Sequence, residues 1–399
     1  MPKNLNGLFT VLLVAALTFG SSTMASAATV PLPGTAEQTG SLSPSGFISG
    51  VATVEVSGDF IWAATATTRK VFKVNKTTGA LDTEFALPAG STGTITRSSI
   101  DANYLWLNHT NSAGVTRVKL SDGTSEYFST GLANNSDIAS DGEFVWVTSD
   151  GVGAAGKVFK LSATTGAVLS ETTISYPRSV DTDGVNVWIS YLDGSGFVRS
   201  ITKLNRSTGE VLLPGISSGL VDGGLKGIRI SGESVFVFND RTQIFERSVS
   251  DGSLISEVAF VGDNLSAIEV SGGTLWSFSS NNSKGRQYDL VSRTGANATY
   301  DGEFDHLGSG IRNATFDGAN LWVADLGGKL IRRTASSQPL PAPEDPAAAP
   351  AAAAPAAKLA TTGSGDSMAP LAVSLTLTTF GGALLLWRRS QKRSLKSIS

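Results

Sequence analysis

The feature that most constrains this chain is a turn that returns at a nearly fixed interval. It first appears as Thr77-Thr78-Gly79 and recurs with drift at Asp122-Gly123-Thr124, Thr165-Gly166-Ala167, Thr208-Gly209-Glu210, Asp251-Gly252-Ser253 and Thr294-Gly295-Ala296. The glycines are separated once by 44 residues and then four times by 43. A unit of about 40–50 residues repeated in this way points to a propeller, in which each unit buries its apolar face only against its neighbours. A second signal runs in step with the first. Short apolar strands are centred on Trp62, Trp106, Trp146, Trp188, Trp276 and Trp322, with Val235-Phe236-Val237 standing in the fifth place. Ahead of them come Ser57-Gly58, Asp101-Ala102, Asp141-Gly142, Asp183-Gly184, Ser231-Gly232, Ser271-Gly272 and Asp317-Gly318, the chemistry of tight hairpin turns.

Seven such strands predict seven blades, each of four strands. The third blade reads most clearly, with strands expected at 137–140, 143–148, 157–162 and 167–174. The last blade offers only three, at 311–316, 320–324 and 329–334, before the sequence turns Pro-rich. Residues 35–42, ahead of the first blade's inner strand at 51–56, are the expected source of the missing outer strand. The fold class is therefore an all-β, seven-bladed propeller over residues 28–336, closed by an N-terminal strand that leaves no open edge. Because the tryptophans recur at one position of the repeat, they are assigned to packing between blades rather than to a sugar-stacking array.

Composition agrees with many short strands and tight turns: 44 glycines and only 16% charged residues in 399. The absence of cysteine excludes disulfides and Cys-ligated zinc or iron–sulfur centres. The formal charge of −3 hides a split. Setting aside Lys3, the five bases after Thr362 and Asp366 leaves 25 bases against 33 acids in the middle of the chain. An acidic domain lacks the basic footprint that nucleic-acid binding needs.

Both ends read as addresses. Lys3, an apolar run over 8–19 and Ala25-Ser26-Ala27 make a secretory signal peptide over 1–27, cut between Ala27 and Ala28. Residues 337–358 form a Pro/Ala-rich linker that behaves as an extended spacer. Then come Leu359-Ala360-Thr361-Thr362-Gly363, an apolar segment at 369–387 and a basic tail at 388–399. The order of these parts resembles the sorting signal of Gram-positive wall-anchored proteins, the LPxTG class, in its LAxTG variant. That resemblance implies a sortase that cuts between Thr362 and Gly363 and joins Thr362 covalently to cell-wall peptidoglycan. The apolar segment halts export and the basic tail stays cytoplasmic. The competing expectation is an ordinary single-span membrane protein facing outward.

The repeat itself, Asp-Gly-x-x-Val-Trp-Val followed by an apolar strand and Thr-Gly-x-Val, is best seen at 141–168 and 183–211. It resembles the YVTN and streptogramin-lyase-like propellers, a resemblance specific for fold and poor for activity. Streptogramin lyases use His with carboxylates and Mg²⁺, and the only histidines here are His109 and His306, both expected on loops. The Thr-Gly turns also resemble quinoprotein dehydrogenase repeats, but the Trp after the Gly and the cysteines of a vicinal disulfide are missing. No phosphate loop, zinc-ligand cluster, EF-hand spacing or nucleophile elbow stands out, and Asp193-Gly194-Ser195-Gly196 is a glycine-rich turn. No cofactor or metal is implied.

In a propeller the Asp-Gly and Thr-Gly turns share one face, and the irregular connections occupy the other, where ligands are to be sought. Those connections are expected at 108–111, 190–196, 213–226, 239–241 and 301–310. Five positions before each Asp/Ser turn residue stand Ala52, Thr96, Ser136, Arg178, Lys226, Ser266 and Arg312. Arg178, Lys226 and Arg312 are thus candidates to ring a channel mouth and take an anionic ligand such as a carboxylate or phosphate. The competing expectation pairs them with loop acids such as Asp222, Asp263 or Asp305. The function expected is display of the propeller on the cell surface for an extracellular protein, glycan or small ligand. A secreted propeller lyase or hydrolase, or a structural envelope protein, is the alternative.

Overall fold

The computed structural model describes residues 33–38 and 50–335, apart from 152–155, 194–197, 222, 260–263, 282, 295–296, 307 and 309. The signal peptide with Ala27 and Ala28, the linker and the sorting signal with Leu359, Ala360, Thr361, Thr362 and Gly363 lie outside the described residues. Of the chain's two units, only Met1–Ala342 contains described residues. Among them there is no helix, and hence none long and apolar enough to cross a membrane.

Seven four-stranded antiparallel sheets make up a seven-bladed β-propeller. Six are built from consecutive strands, such as Asn135–Ser140, Phe144–Ser149, Lys157–Ser162 and Val168–Thr173 in blade 3. Blade 7 joins Ile311–Phe316, Asn320–Asp325 and Lys329–Ala335 to the N-terminal strand Pro33–Gln38. The expected closure therefore occurs, with the closing strand starting two residues earlier than position 35 and ending at Gln38. Blade 6 departs from the repeat, because Lys284–Thr294 and Asn297–Asp305 form a longer outer hairpin than in its neighbours.

The turns form for local reasons. In the inner hairpins one carboxylate oxygen of Asp101, Asp141, Asp183 or Asp317 accepts the backbone N–H groups two and three residues ahead. This Asx turn replaces ladder bonds that the reversing backbone cannot make. In the outer turns Gly79, Gly123, Gly166, Gly209 and Gly252 all take φ between 70° and 82°, a region costly for residues with a Cβ. A Cβ on Gly123 or Gly166 would also stand 2.0 or 2.1 Å from the ring of Phe85 or Phe128 in the preceding blade.

Packing between blades follows one rule. The second-strand Trp of six blades is at most 2% exposed and joins a core cluster with the next blade. Trp146 of blade 3, for example, packs with Val180, Val187, Ile189 and Leu204 of blade 4. Opposite the Trp in register stands a cation: Lys73, Arg117, Lys160, Lys203 or Arg332. Most of these cations cross the seam. Arg117 donates to the carbonyls of Ala163 and Thr164 at 2.7 Å, and Lys203 to those of Val249 and Ser250 at 3.0 and 3.2 Å.

A second set of cross-seam bonds lines the channel. Each innermost strand is an edge, with N–H groups its own hairpin leaves unpaired. Side chains of the preceding blade accept them: Asn313 from Val54 N–H at 3.1 Å, Ser179 from Ile228 N–H at 3.1 Å, and Ser99 from Ser140 N–H at 2.9 Å. Asp137 likewise accepts from Val180 N–H at 3.4 Å, Asp181 from Ile230 N–H at 2.7 Å and Glu269 from Phe316 N–H at 3.1 Å. Between blades 1 and 2, Glu55 accepts the Ser98 hydroxyl at 2.7 Å. The blade 5–6 seam differs. By register its two acceptor positions hold Gly227, with no side chain, and Arg229, whose guanidinium only donates.

Candidate functional site

Side chains of the innermost strands line the channel. The layer nearest the strand starts lies on the face of the irregular connections, as the bonds Asp240 N–H to Gly224 C=O and Leu326 N–H to Gly310 C=O show. In all seven innermost strands the register shifts near the strand start, between the first and third residues in six of them, as between Leu225 and Gly227, and between Ile95 and Arg97 in blade 2. A shift of this kind re-aims side chains. Beneath the mouth, the fifth residues of these strands form a half-buried acidic layer of Glu55, Asp181 and Glu269, with Arg229 among them and Asp137 close by.

The mouth holds a small pocket lined by Arg97, Lys226, Arg229 and Arg312, with Ser266 and Ile268 among its wall residues. Two of the three cations expected there, Lys226 and Arg312, are brought together. Arg178 is not part of the lining, because it turns to Asp150 and makes an ion pair at 3.2 Å. That partner is none of the loop acids expected. Asp222 and Asp263 lie outside the described residues, and Asp305 pairs with Lys284 at 2.6 Å. Arg97 takes the third place. Its guanidinium reaches the Arg312 carbonyl at 3.5 Å and lies 3.9 Å from Asp137.

The electrostatics are uneven. Lys226 and Arg312 form no ion pair with a carboxylate among the described residues. Burial first, then the nearby charges of Arg97 and Arg312, pull the Lys226 pKa below the ordinary lysine range, with Asp240 opposing them. Burial also lowers the Arg97 pKa, partly countered by Asp137. Arg229 behaves in the opposite sense: burial disfavours its charge, but Asp181, Asp137, Glu269 and Glu55 outweigh that and raise its pKa. The mouth therefore carries positive charge not neutralised locally, while the layer below holds acid around a single base. Such a mouth attracts an anion and orients its charged end.

Arg97 and Arg229 were not singled out by spacing from the turns. Arg97 stands one residue after the ring position Thr96, and the bulge brings it to the cavity. Arg229 is three residues past Lys226 in a layer that elsewhere holds acids, small polar residues or Ala139. Aligning the seven innermost strands by register would have exposed it as the one base of that layer.

Neither histidine reaches the channel. His109 lies within the strand Tyr104–Thr110 rather than on a loop, is fully buried, and its Nε2 hydrogen-bonds the Thr116 hydroxyl at 2.8 Å. His306 follows Asn297–Asp305, is also fully buried, and its Nε2 lies 3.0 Å from the Ser279 carbonyl. Burial lowers both pKa values to about 4, so both imidazoles are neutral near pH 7. They belong to separate blades and to the cores of those blades.

The acidic layer makes stability depend on pH. Burial raises Glu269 to about 8, Glu55 to about 7 and Asp181 to about 6. A raised carboxylate pKa means that the folded ring holds protons the unfolded chain has released. Its contribution is fully present below the unfolded pKa and is lost as pH climbs through the folded value. The two histidines act oppositely, losing stability as pH falls from 6.5 towards 4. Between pH 6.5 and 8.5 the carboxylates dominate, so the melting temperature is expected to fall with rising pH. Glu269→Gln keeps an acceptor for the Phe316 N–H and is expected to remove most of that slope. A wild-type melting temperature that is flat or rising over the same range contradicts this assignment.

No protein-family model matches the chain, and no curated protein matches it. Among solved structures the fold is similar to Kuenenia stuttgartiensis hydrazine synthase, with a TM-score of 0.59 and 14% identity over 72% of this chain and 96% of that one. It is also similar to the computationally designed Ika8 protein, with a TM-score of 0.53 and 11% identity over 73% of this chain and 98% of that one. At such identities the likeness concerns the fold alone, and it supports a seven-bladed β-propeller.

Proposed function

We propose that this is an exported surface protein that displays its propeller on the cell wall and binds an anionic extracellular ligand at the channel mouth. The observation that carries the binding half is the cluster of Arg97, Lys226 and Arg312 around one cavity on the irregular face of an otherwise acidic domain. The anchoring half rests on sequence: cleavage after Ala27, a Pro/Ala stalk over 337–358, and a sortase that transfers Thr362 to peptidoglycan. The repeat pattern supports grouping the chain with the YVTN and streptogramin-lyase-like propellers. The metal-dependent lyase chemistry of that group has little to work with, since His109 and His306 are buried and neutral.

Two measurements test the two halves separately. Mass spectrometry of protein released from the wall is expected to find a C-terminus at Thr362; a chain that keeps residues 364–399 at the surface refutes sortase anchoring. Capture from extracellular fluid on the immobilised protein is expected to retain acidic material, with retention lost in Lys226→Ala/Arg312→Ala. Undiminished capture by that variant moves the binding surface elsewhere.

A further inference from the structure

Blade 5 breaks the repeat at four positions that elsewhere tie a blade to the next. Its aromatic is Phe236 where six blades carry Trp, and the residue opposite is Glu246 where five blades carry a cation. Glu246 accepts the hydroxyls of Ser234 and Ser256 in its own blade, both at 2.7 Å. Gly227 and Arg229 occupy the two acceptor positions of its inner strand and supply no acceptor. Apolar packing still joins the seam, through Phe236 and Phe238 against Leu265, Ile268 and Leu275. Gly227 is itself required by that packing, since a Cβ there would stand 2.6 Å from the Phe238 ring.

The cationic cavity opens at this same seam, with Gly227, Phe238, Ser266 and Ile268 in its wall. By register, Ile268 is the counterpart of Val54, Val180 and Ile228, whose N–H groups are accepted by the preceding blade, and of Ser98, Ile138 and Ala314, for which no such bond stands among the described residues. Its own N–H faces Gly227, where no side chain can accept it. The Ile268 backbone, Lys226 and Arg312 therefore line one pocket at a seam where neither acceptor position of the preceding blade carries an acceptor, and the two cations have no carboxylate partner among the described residues.

Resting on the channel-mouth reading above, we propose that the ligand group bound there is a small oxyanion, a carboxylate or phosphate. It accepts from the Ile268 N–H and from Lys226 and so supplies the missing bond between blades 5 and 6. Binding is then coupled to closure of the ring, because anything that binds only the closed seam stabilises it by mass action.

The test uses the full chain, with sodium phosphate and sodium acetate as probes at constant ionic strength against sodium chloride. At least one of the two oxyanions is expected to raise the melting temperature saturably and to slow hydrogen exchange at the Ile268 amide. Lys226→Met should weaken that response by about tenfold or more, as expected for a lost charged hydrogen bond. Without added oxyanion the same variant should melt at or above wild type, because it removes a half-buried cation repelled by Arg97 and Arg312. Arg312→Gln serves as the second variant and should weaken the response in the same direction. Overturning results are no saturable rise with either anion, an equal rise in both variants, or a rise with no change at Ile268. If capture of acidic material persists while these responses fail, the seam proposal falls and the surface-binding reading stands.

Discussion

Removing residues 30–45 is expected to strip the cooperative melt from the propeller and to make the protein self-associate. The strand Pro33–Gln38 pairs with Lys329–Ala335 over five residue pairs, from Pro33 opposite Ala335 to Gln38 opposite Ile331. If the ladder holds about one net kcal/mol per hydrogen bond, its loss costs roughly 5 kcal/mol, comparable with the whole stability of many domains. The indirect loss adds to this. The pairing ties the first described strand to the last, so deletion turns a closed ring into an open array whose end blades fray. It also exposes Lys329–Ala335 as an unpaired edge, an aggregation template. Denaturant unfolding and light scattering on wild type and the deletion decide the matter. An unshifted, fully cooperative transition in the deleted chain would falsify the closure as a source of stability.

The ring was legible in the sequence because its structural positions repeat. The Gly of the outer turn must take positive φ against a neighbouring blade, and the Trp must fill a seam, so both recur in step. Two of the three proposed mouth cations were legible for the same reason: the count back from the Asp-Gly turn finds Lys226 and Arg312. Arg178 obeys the count but not the chemistry, because Asp150, between the second and third strands of the neighbouring blade, captures it. No spacing within one repeat reveals a partner contributed by the next. Arg97 was hidden by the bulge, and His109 by a strand that runs further than the turn signals suggested, while His306 does lie past the end of its strand but is buried. The odd seam needed coordinates as well. Gly227, Arg229, Phe236 and Glu246 look like ordinary drift until register places all four on the side of blade 5 that meets blade 6.

Repetition of the Trp does not make all copies equal, and the difference predicts an order of mutational effects. Trp106 is fully buried, and its Nε1–H donates to Asp101 at 3.0 Å, while the same carboxylate accepts the Ser140 hydroxyl of blade 3 at 2.7 Å. Trp146 is 1% exposed in the equivalent place, yet its Nε1–H finds no acceptor among the described residues. Truncating Trp106 to Ala opens a cavity shared by two blades and is expected to cost about 3–5 kcal/mol, the largest single-residue loss in the ring. Trp→Phe separates the packing from the hydrogen bond. At Trp106 it removes ring volume and leaves Asp101 short of a donor. At Trp146 it removes similar volume but also relieves a buried, unsatisfied N–H, a group that itself costs about 1–3 kcal/mol. Trp106→Phe should therefore destabilise more than Trp146→Phe, by about 1–2 kcal/mol on the same scale. Equilibrium denaturation of the two variants side by side measures the gap. Equal losses, or the reverse order, would show that volume alone governs the seams and that the Asp101 bond contributes nothing to the join between blades 2 and 3.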